Sequence, residues 1–298
     1  MKTYKISILS LIIIVVTTQL AACAATPPID TSTPASTKSP VVEPESGDAN
    51  LSITYSCGDG FVLSAGEKKV LTDILREESR FLCQKDVESY AAFTAGQSPF
   101  DGIDLILVSH TDVDHFPPII VGTFLQNNPE TELVGSDTVV DELREKFAGY
   151  DQIANRIHRI QPEAGQTVKL TVQGIDLEVI NLPGLIPNLG FLFKLGGLVI
   201  FDSGDLGLEP DVPGLVAELQ AYKLPERQVD LAFVQWSYLT EDSLKPILEE
   251  GIMAENYVPM YFAGEDLAWA LMSIPLSYPR AVLFQEELDT WTYNASQP

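Results

Sequence analysis

Basic residues are scarce in this chain. Among 298 residues, Lys and Arg number 18 against 42 Asp and Glu, which leaves a net charge of −24 at neutral pH. Binding to nucleic acid draws its affinity from Lys and Arg that displace counterions from phosphate, so the charge argues against a polynucleotide as partner. The same deficit keeps the body of the protein off an anionic membrane, and the surplus carboxylate serves solubility. Cysteine is rare too: Cys23, Cys57 and Cys83 are all there is, too far apart in sequence to offer a thiolate pair to a metal. Histidine occurs three times, and two of the three fall within six residues of each other. The apolar run from Ile6 to Leu20 is interrupted by Thr17, Thr18 and Gln19. It falls short of the ~20 apolar residues that a membrane-spanning helix needs.

What the run does fit is an export signal. Lys2 and Lys5 precede it, and Leu20-Ala21-Ala22-Cys23 follows directly. That order matches a bacterial lipoprotein signal, in which Cys23 is acylated and becomes the new N-terminus. Residues 1–22 are therefore expected to be a signal peptide. Residues 23–48 are rich in Thr, Ser, Pro and Ala without periodicity, the composition of a disordered tether. Residues 49–298 are long enough for one large α/β domain. The expected location is extracytoplasmic, held to a membrane by lipid at about 0.8 kcal/mol per buried CH₂. Cys57 and Cys83 either pair in that exported domain or remain buried free thiols.

The chemistry concentrates at Asp104-Leu-Ile-Leu-Val-Ser-His-Thr-Asp-Val-Asp-His115. Leu105 to Val108 reads as an inner strand. His110, Asp112, Asp114 and His115 then crowd together. Carboxylates this close repel one another unless a cation sits among them, and imidazole is a ready co-ligand.

Around that strand the chain punctuates itself with Gly and Pro. Strands are expected at Leu51–Tyr55, Phe61–Leu63 and Val70–Leu71, and a helix opening on proline at Ile119–Leu125. Thr131–Val134 is a further strand, and Ser136 caps a helix over Thr138–Phe147. Strand pairs turn about Gly174 and about Gly196-Gly197. Helices follow at Asp211–Tyr222, Glu241–Glu250 and Gly264–Met272, with strands at Val229–Val234 and up to Met260. This pattern predicts two packed sheets flanked by helices. His158 lies outside every motif and reads as a surface residue. Trp236 follows a strand near the expected site, where it lines a pocket or packs at the rim.

The cluster resembles the His-x-His-x-Asp-His signature of the metallo-β-lactamase superfamily, with Asp112 in place of the second histidine. A His-x-Asp-x-Asp-His form is known in the hydrolase domain of DNA-uptake channel proteins. Val70-Leu71-Thr72-Asp73, Pro99 to Asp104, Gly135-Ser136-Asp137, Ser203-Gly204-Asp205 and Val258 to Phe262 resemble further family segments in the family's order. The resemblance implies an αββα sandwich, an α/β (α+β) fold with metal ligands at strand ends on one edge. It assigns His110 and Asp112 to a first metal, Asp114 and His115 to a second, and Asp205 to a bridging role, with Asp202 close enough to compete. A family histidine is absent near Leu182-Pro183-Gly184, and Tyr261 replaces another. With the position of Asp112, three of the five histidines the resemblance implies are missing. The remaining oxygen-rich set shifts preference from Zn²⁺ toward Mn²⁺, Mg²⁺ or Ca²⁺, and favours one ion, held by Asp114, His115 and Asp205, over two.

Two functions follow. One is a metal-dependent hydrolase acting on an unknown small molecule, with Asp112 or Asp114 orienting or deprotonating a water. The other is a pseudoenzyme that uses the same fold to bind a ligand or partner, since fold alone confers no activity.

Overall fold

A computed structural model of the chain describes residues 50–73, 87–112, 115–184, 186–207, 211–260 and 267–294. The expected signal peptide, Cys23, the tether, Cys83, Asp114 and Tyr261 lie outside the described residues.

Thirteen strands are described: β1 (Asn50–Cys57), β2 (Gly60–Ala65), β3 (Lys68–Thr72), β4 (Leu105–Val108), β5 (Glu132–Gly135), β6 (Ile157–Arg159), β7 (Thr167–Val172), β8 (Ile175–Leu182), β9 (Asn188–Leu195), β10 (Leu198–Asp202), β11 (Leu231–Gln235), β12 (Asn256–Met260) and β13 (Thr290–Asn294). The described α-helices are α1 (Val87–Thr94), α2 (Pro118–Asn127), α3 (Asp137–Lys146), α4 (Tyr150–Ile153), α5 (Val212–Ala221), α6 (Ser237–Thr240) and α7 (Leu267–Ser277). One sheet runs β13-β1-β2-β3-β4-β5-β6 and the other β12-β11-β10-β9-β8-β7.

The two sheets pack face to face because most strands are apolar on both sides. In β4, Leu105 and Leu107 enter the core between the sheets, while Ile106 and Val108 face the outer helices. A strand buried on both faces reads as a continuous apolar run, as this one does. Phe61 of β2 meets Phe233 of β11 across the sandwich at 4.8 Å between ring centroids. Outside the first sheet, α1, α2 and α3 bury Phe93, Phe124 and Leu143. Outside the second, α5 and α7 bury Leu215, Leu219, Ala270 and Ile274. The order of layers is helix, sheet, sheet, helix, as expected.

Local signals account for the ends of the helices. Proline occupies the first turn of α2, and the Ser136 side chain accepts from the Val139 amide at 3.2 Å to cap α3. The expected helix over Glu241–Glu250 forms only in its second half. The chain makes the short α6, then a π-helical turn over Ile247–Ile252. Pro246 explains the late start, because it has no amide hydrogen to donate and its ring crowds the preceding turn. His158 is half-buried on β6, and its Nε2 meets the Glu132 carboxylate on β5. It is a strand-edge contact remote from the other two histidines.

Direction matters most for function. β3, β4, β5 and β6 are parallel, and so are β10, β11 and β12. Their C-terminal ends gather on one edge, where the Leu189 amide of β9 donates to the Ser109 carbonyl at 2.9 Å and ties the sheets together. The hairpin turn between β1 and β2 points the same way, because β2 runs antiparallel to β3.

Candidate functional site

At that edge the apolar run of β4 gives way to Ser109 and His110, both fully buried. Beside them Asp73 ends the parallel strand β3. One Asp73 oxygen, Oδ1, accepts the Ser109 amide at 2.8 Å. The other, Oδ2, accepts the Ser109 hydroxyl at 2.7 Å and the His115 Nδ1–H at 2.9 Å. A serine hydroxyl carries one proton. Given to Asp73, it leaves Oγ as the acceptor for His110 Nδ1–H at 2.8 Å. One carboxylate thus orients both imidazoles through Nδ1, His115 directly and His110 by way of the Ser109 hydroxyl. Asp73 does this from a left-handed backbone at φ 36°, a conformation that Asp tolerates at a cost of about 1 kcal/mol or more.

The two rings lie 3.9 Å apart between centroids. His115 Nε2 faces Asp59 Oδ2 at 3.2 Å, and Asp59 is itself buried. Burial alone would lower the His115 pKa. The charges of Asp59, Asp73 and Asp205, with the Asp73 hydrogen bond, outweigh burial and raise it to about 10.

Asp205 arrives from the other sheet on the loop after β10. Gly204 makes the turn at φ 49°, and a Cβ there would sit 2.6 Å from Ser109 Cβ and 2.4 Å from Asn188 Oδ1. Only glycine fits both conformation and space. The Asp205 amide donates to Asn188 Oδ1 at 3.1 Å, and the Gln235 side-chain amide donates to Asp205 Oδ1 at 2.5 Å. Tyr238 of α6 donates its hydroxyl to the Leu206 and Gly207 carbonyls and braces the same loop. Asp205 Oδ2 is then 3.9 Å from His110 Nε2, and Asp112 Oδ2 is 3.7 Å from that nitrogen. Asp112 is the open side of the cluster, its side chain 54% exposed.

One donor atom each from His110, His115 and Asp205 lie within 4.8 Å of one another. The donor set fits a divalent cation: both imidazoles have Nδ1 engaged, and Gln235 holds the Asp205 carboxylate through Oδ1. Asp202 lies nearby in sequence and does another job. Its carboxylate accepts the Gly204 amide at 2.9 Å, and burial together with the Asp73 charge raises its pKa to about 7.

The edge also explains one departure from the metallo-β-lactamase signature. Gly184 belongs to the Leu182-Pro183-Gly184 stretch near which the resemblance places a histidine. A Cβ there would come within 3.2 Å of the Asp205 carbonyl oxygen and 3.0 Å of that of Ile186, which leaves little room for a side chain. Trp236 stands one residue beyond Gln235, and its ring meets Trp269 of α7 edge-on at 5.5 Å. The pair forms an aromatic margin beside β11. A cavity of about 620 Å³ lies elsewhere, on β7 to β9, and Glu178 in its wall is already paired with Lys169 and Arg227.

Four residues of this edge carry no site role in the sequence reading: Asp59, Asp73, Ser109 and Gln235. Asp73 could have been found from its place at the end of the strand before β4. Asp59 had a weaker signal, a lone carboxylate between two turn glycines. Ser109 and Gln235 had none.

No family model matches the chain, and no curated protein matches it. Solved structures do. A metallo hydrolase from the archaeon Ignicoccus hospitalis is 17% identical, with a TM-score of 0.56 over 82% of this chain and 98% of the other. A metallo-β-lactamase fold protein from Bacillus subtilis is 13% identical, with a TM-score of 0.54 over 82% and 99%. A diiron β-hydroxylase from Streptomyces venezuelae is 11% identical, with a TM-score of 0.51 over 82% of this chain and 54% of its own. At these identities the likeness concerns the fold, and on that ground the chain is a metallo-β-lactamase-fold protein.

Proposed function

We propose that this chain is a metal-dependent hydrolase with a reduced, oxygen-rich centre, tethered to a bacterial membrane through Cys23. The observation that carries the reading is the convergence of His110, His115 and Asp205, with Asp73 orienting both imidazoles. A divalent cation held there supplies Lewis-acid polarisation of an acyl or phosphoryl oxygen and lowers the pKa of a water.

The chain's own residues divide the remaining work. Asp73 and Ser109 orient the imidazoles, and Gln235 holds Asp205. Asp112, exposed and 3.7 Å from His110, accepts a proton from attacking water at the open side. Asp114, by its sequence position alone, is assigned to the same ion as His115. One ion is expected rather than two, with Mn²⁺, Mg²⁺ or Ca²⁺ competing with Zn²⁺. The substrate is a small molecule, because a chain of net charge −24 repels polynucleotide phosphate.

A second reading is favoured by the crowding at Gly184 and by the enclosure of His115 between Asp59 and Asp73. On it the cluster is a self-contained ion network, and the protein is a pseudoenzyme that binds a ligand or partner. A panel of ester, lactone, amide and phosphoester substrates, offered with each metal in turn, separates the two. Hydrolysis that disappears in Asp205→Ala and His115→Ala supports the hydrolase; hydrolysis unchanged in both variants sinks it. A melting temperature indifferent to chelator, with no turnover, favours the pseudoenzyme.

A further inference from the structure

We propose that the outward face of α7 docks on the surface of a lipid bilayer, as a second contact beside the lipid expected at Cys23. This rests on the membrane-tether reading above and assigns a surface that no motif marks.

Trp269, Met272 and Leu276 fall at i, i+3 and i+7, on one side of the helix. They are 46%, 67% and 85% exposed, and they make up three of the seven large apolar residues exposed among the described residues. Ala268 and Pro275 beside them are exposed as well. The opposite side is anchored: Ala270 and Ile274 are fully buried in the core outside the second sheet. Nothing charged occurs anywhere in the helix. A helix apolar all round is ordinarily covered all round, and this one is covered on one side.

The chain itself points to the cover. Twenty-six residues separate Cys23 from Asn50. Fully extended they reach about 90 Å, so an acylated Cys23 keeps a bilayer within range of the domain. The surplus carboxylate that opposes adsorption to anionic lipid is absent from this face, so contact with lipid buries no charge. With 11 residues, α7 is too short to cross a bilayer, which takes ~20. It suits a position along the surface, with Trp269 at headgroup level. Trp269 also meets Trp236, which follows the Gln235 that holds Asp205. Docking therefore brings the aromatic margin of the candidate centre to the lipid surface.

The test places the full-length lipidated protein in phosphatidylcholine vesicles, with and without lipids brominated on their acyl chains, which quench tryptophan on contact. The chain has three tryptophans, Trp236, Trp269 and Trp291. Docking predicts that brominated lipid dims the emission, that the dimming falls at least twofold in Trp269→Phe, and that Trp291→Phe leaves it unchanged. Met272→Glu combined with Leu276→Glu, both at exposed positions, should abolish the dimming without altering circular dichroism or flotation with the vesicles. Parent protein that floats with the vesicles but is not quenched overturns docking and leaves the tether standing, as does quenching that the double variant retains. A dimer that the double variant dissolves, with no effect of brominated lipid, also overturns docking and gives the face to a second copy. Parent protein that fails to float overturns both.

Discussion

Asp73 is the residue on which the site turns. Its two oxygens receive three hydrogen bonds, and through them one side chain decides where two imidazoles point. Asp73→Asn keeps the shape and replaces one acceptor by a donor, which then faces the Ser109 hydroxyl or the His115 Nδ1–H. Loss of such an outer partner typically lowers metal affinity about 10- to 100-fold. Competition with a chromophoric chelator measures it, and parent-like affinity in the folded variant would contradict the role given to Asp73. The same residues make the metal-free protein sensitive to pH. His115 is raised to about 10 and Asp202 to about 7, so both bind protons more tightly folded than unfolded. Stability therefore falls as pH rises, from about 4 to 7 for Asp202 and from about 6.5 to 10 for His115. A cation at His115 takes the place of its proton, so the rise in melting temperature on adding metal should grow between pH 6 and 9. A constant increment across that range would contradict a metal at His115.

At the scale of the element, the loop after β10 is the most constrained segment of the site. Gly204→Val puts a branched side chain at φ 49° against Ser109 and Asn188, so both sheets must shift where they meet. The expected result is loss of metal binding together with a lowered melting temperature, whereas Val at Gly66, which has open space around it, costs only backbone strain. A Gly204→Val protein that binds metal like the parent would show that the loop has slack. These elements also show what a sequence can disclose. β4 was legible because a run apolar on both faces has one common explanation, and the capped start of α3 because Ser136 is a local signal. Pro246 is an equally local signal, and it starts the helical turn over Ile247–Ile252 rather than letting a helix run through from Glu241. β6 and β13 escaped for want of such a signal. β6 is three residues long, and β13 exists because it pairs with β1, with Leu51 opposite Tyr293. Asp59 escaped likewise: the hairpin was visible, but its meeting with His115 depends on strand directions that no local pattern fixes. The His110–His115 cluster was legible because four potential ligands fall in six residues.

For the whole molecule, the site is a seam between two sheets that the apolar core holds in register. Phe61 and Phe233 touch across that core, and both are fully buried. Phe233→Ala should cost about 3–5 kcal/mol of stability by denaturant titration. Because β11 also carries Gln235, it should weaken metal binding as well; a variant destabilised without any effect on metal would mean that seam and site are uncoupled. The lipid anchor proposed at Cys23 has its own test. Cys23→Ser should move the protein from the membrane fraction to the soluble fraction, and retention in the membrane fraction would contradict lipidation. The measurement that bears most directly on the whole account is elemental analysis of the full-length protein, purified in detergent without a histidine tag and offered Zn²⁺, Mn²⁺ and Ca²⁺ in turn. The account predicts near-stoichiometric retention of one of these ions, lost in Asp205→Ala. No retained metal from any of the three would contradict it and leave His110, His115 and Asp205 as a purely structural network.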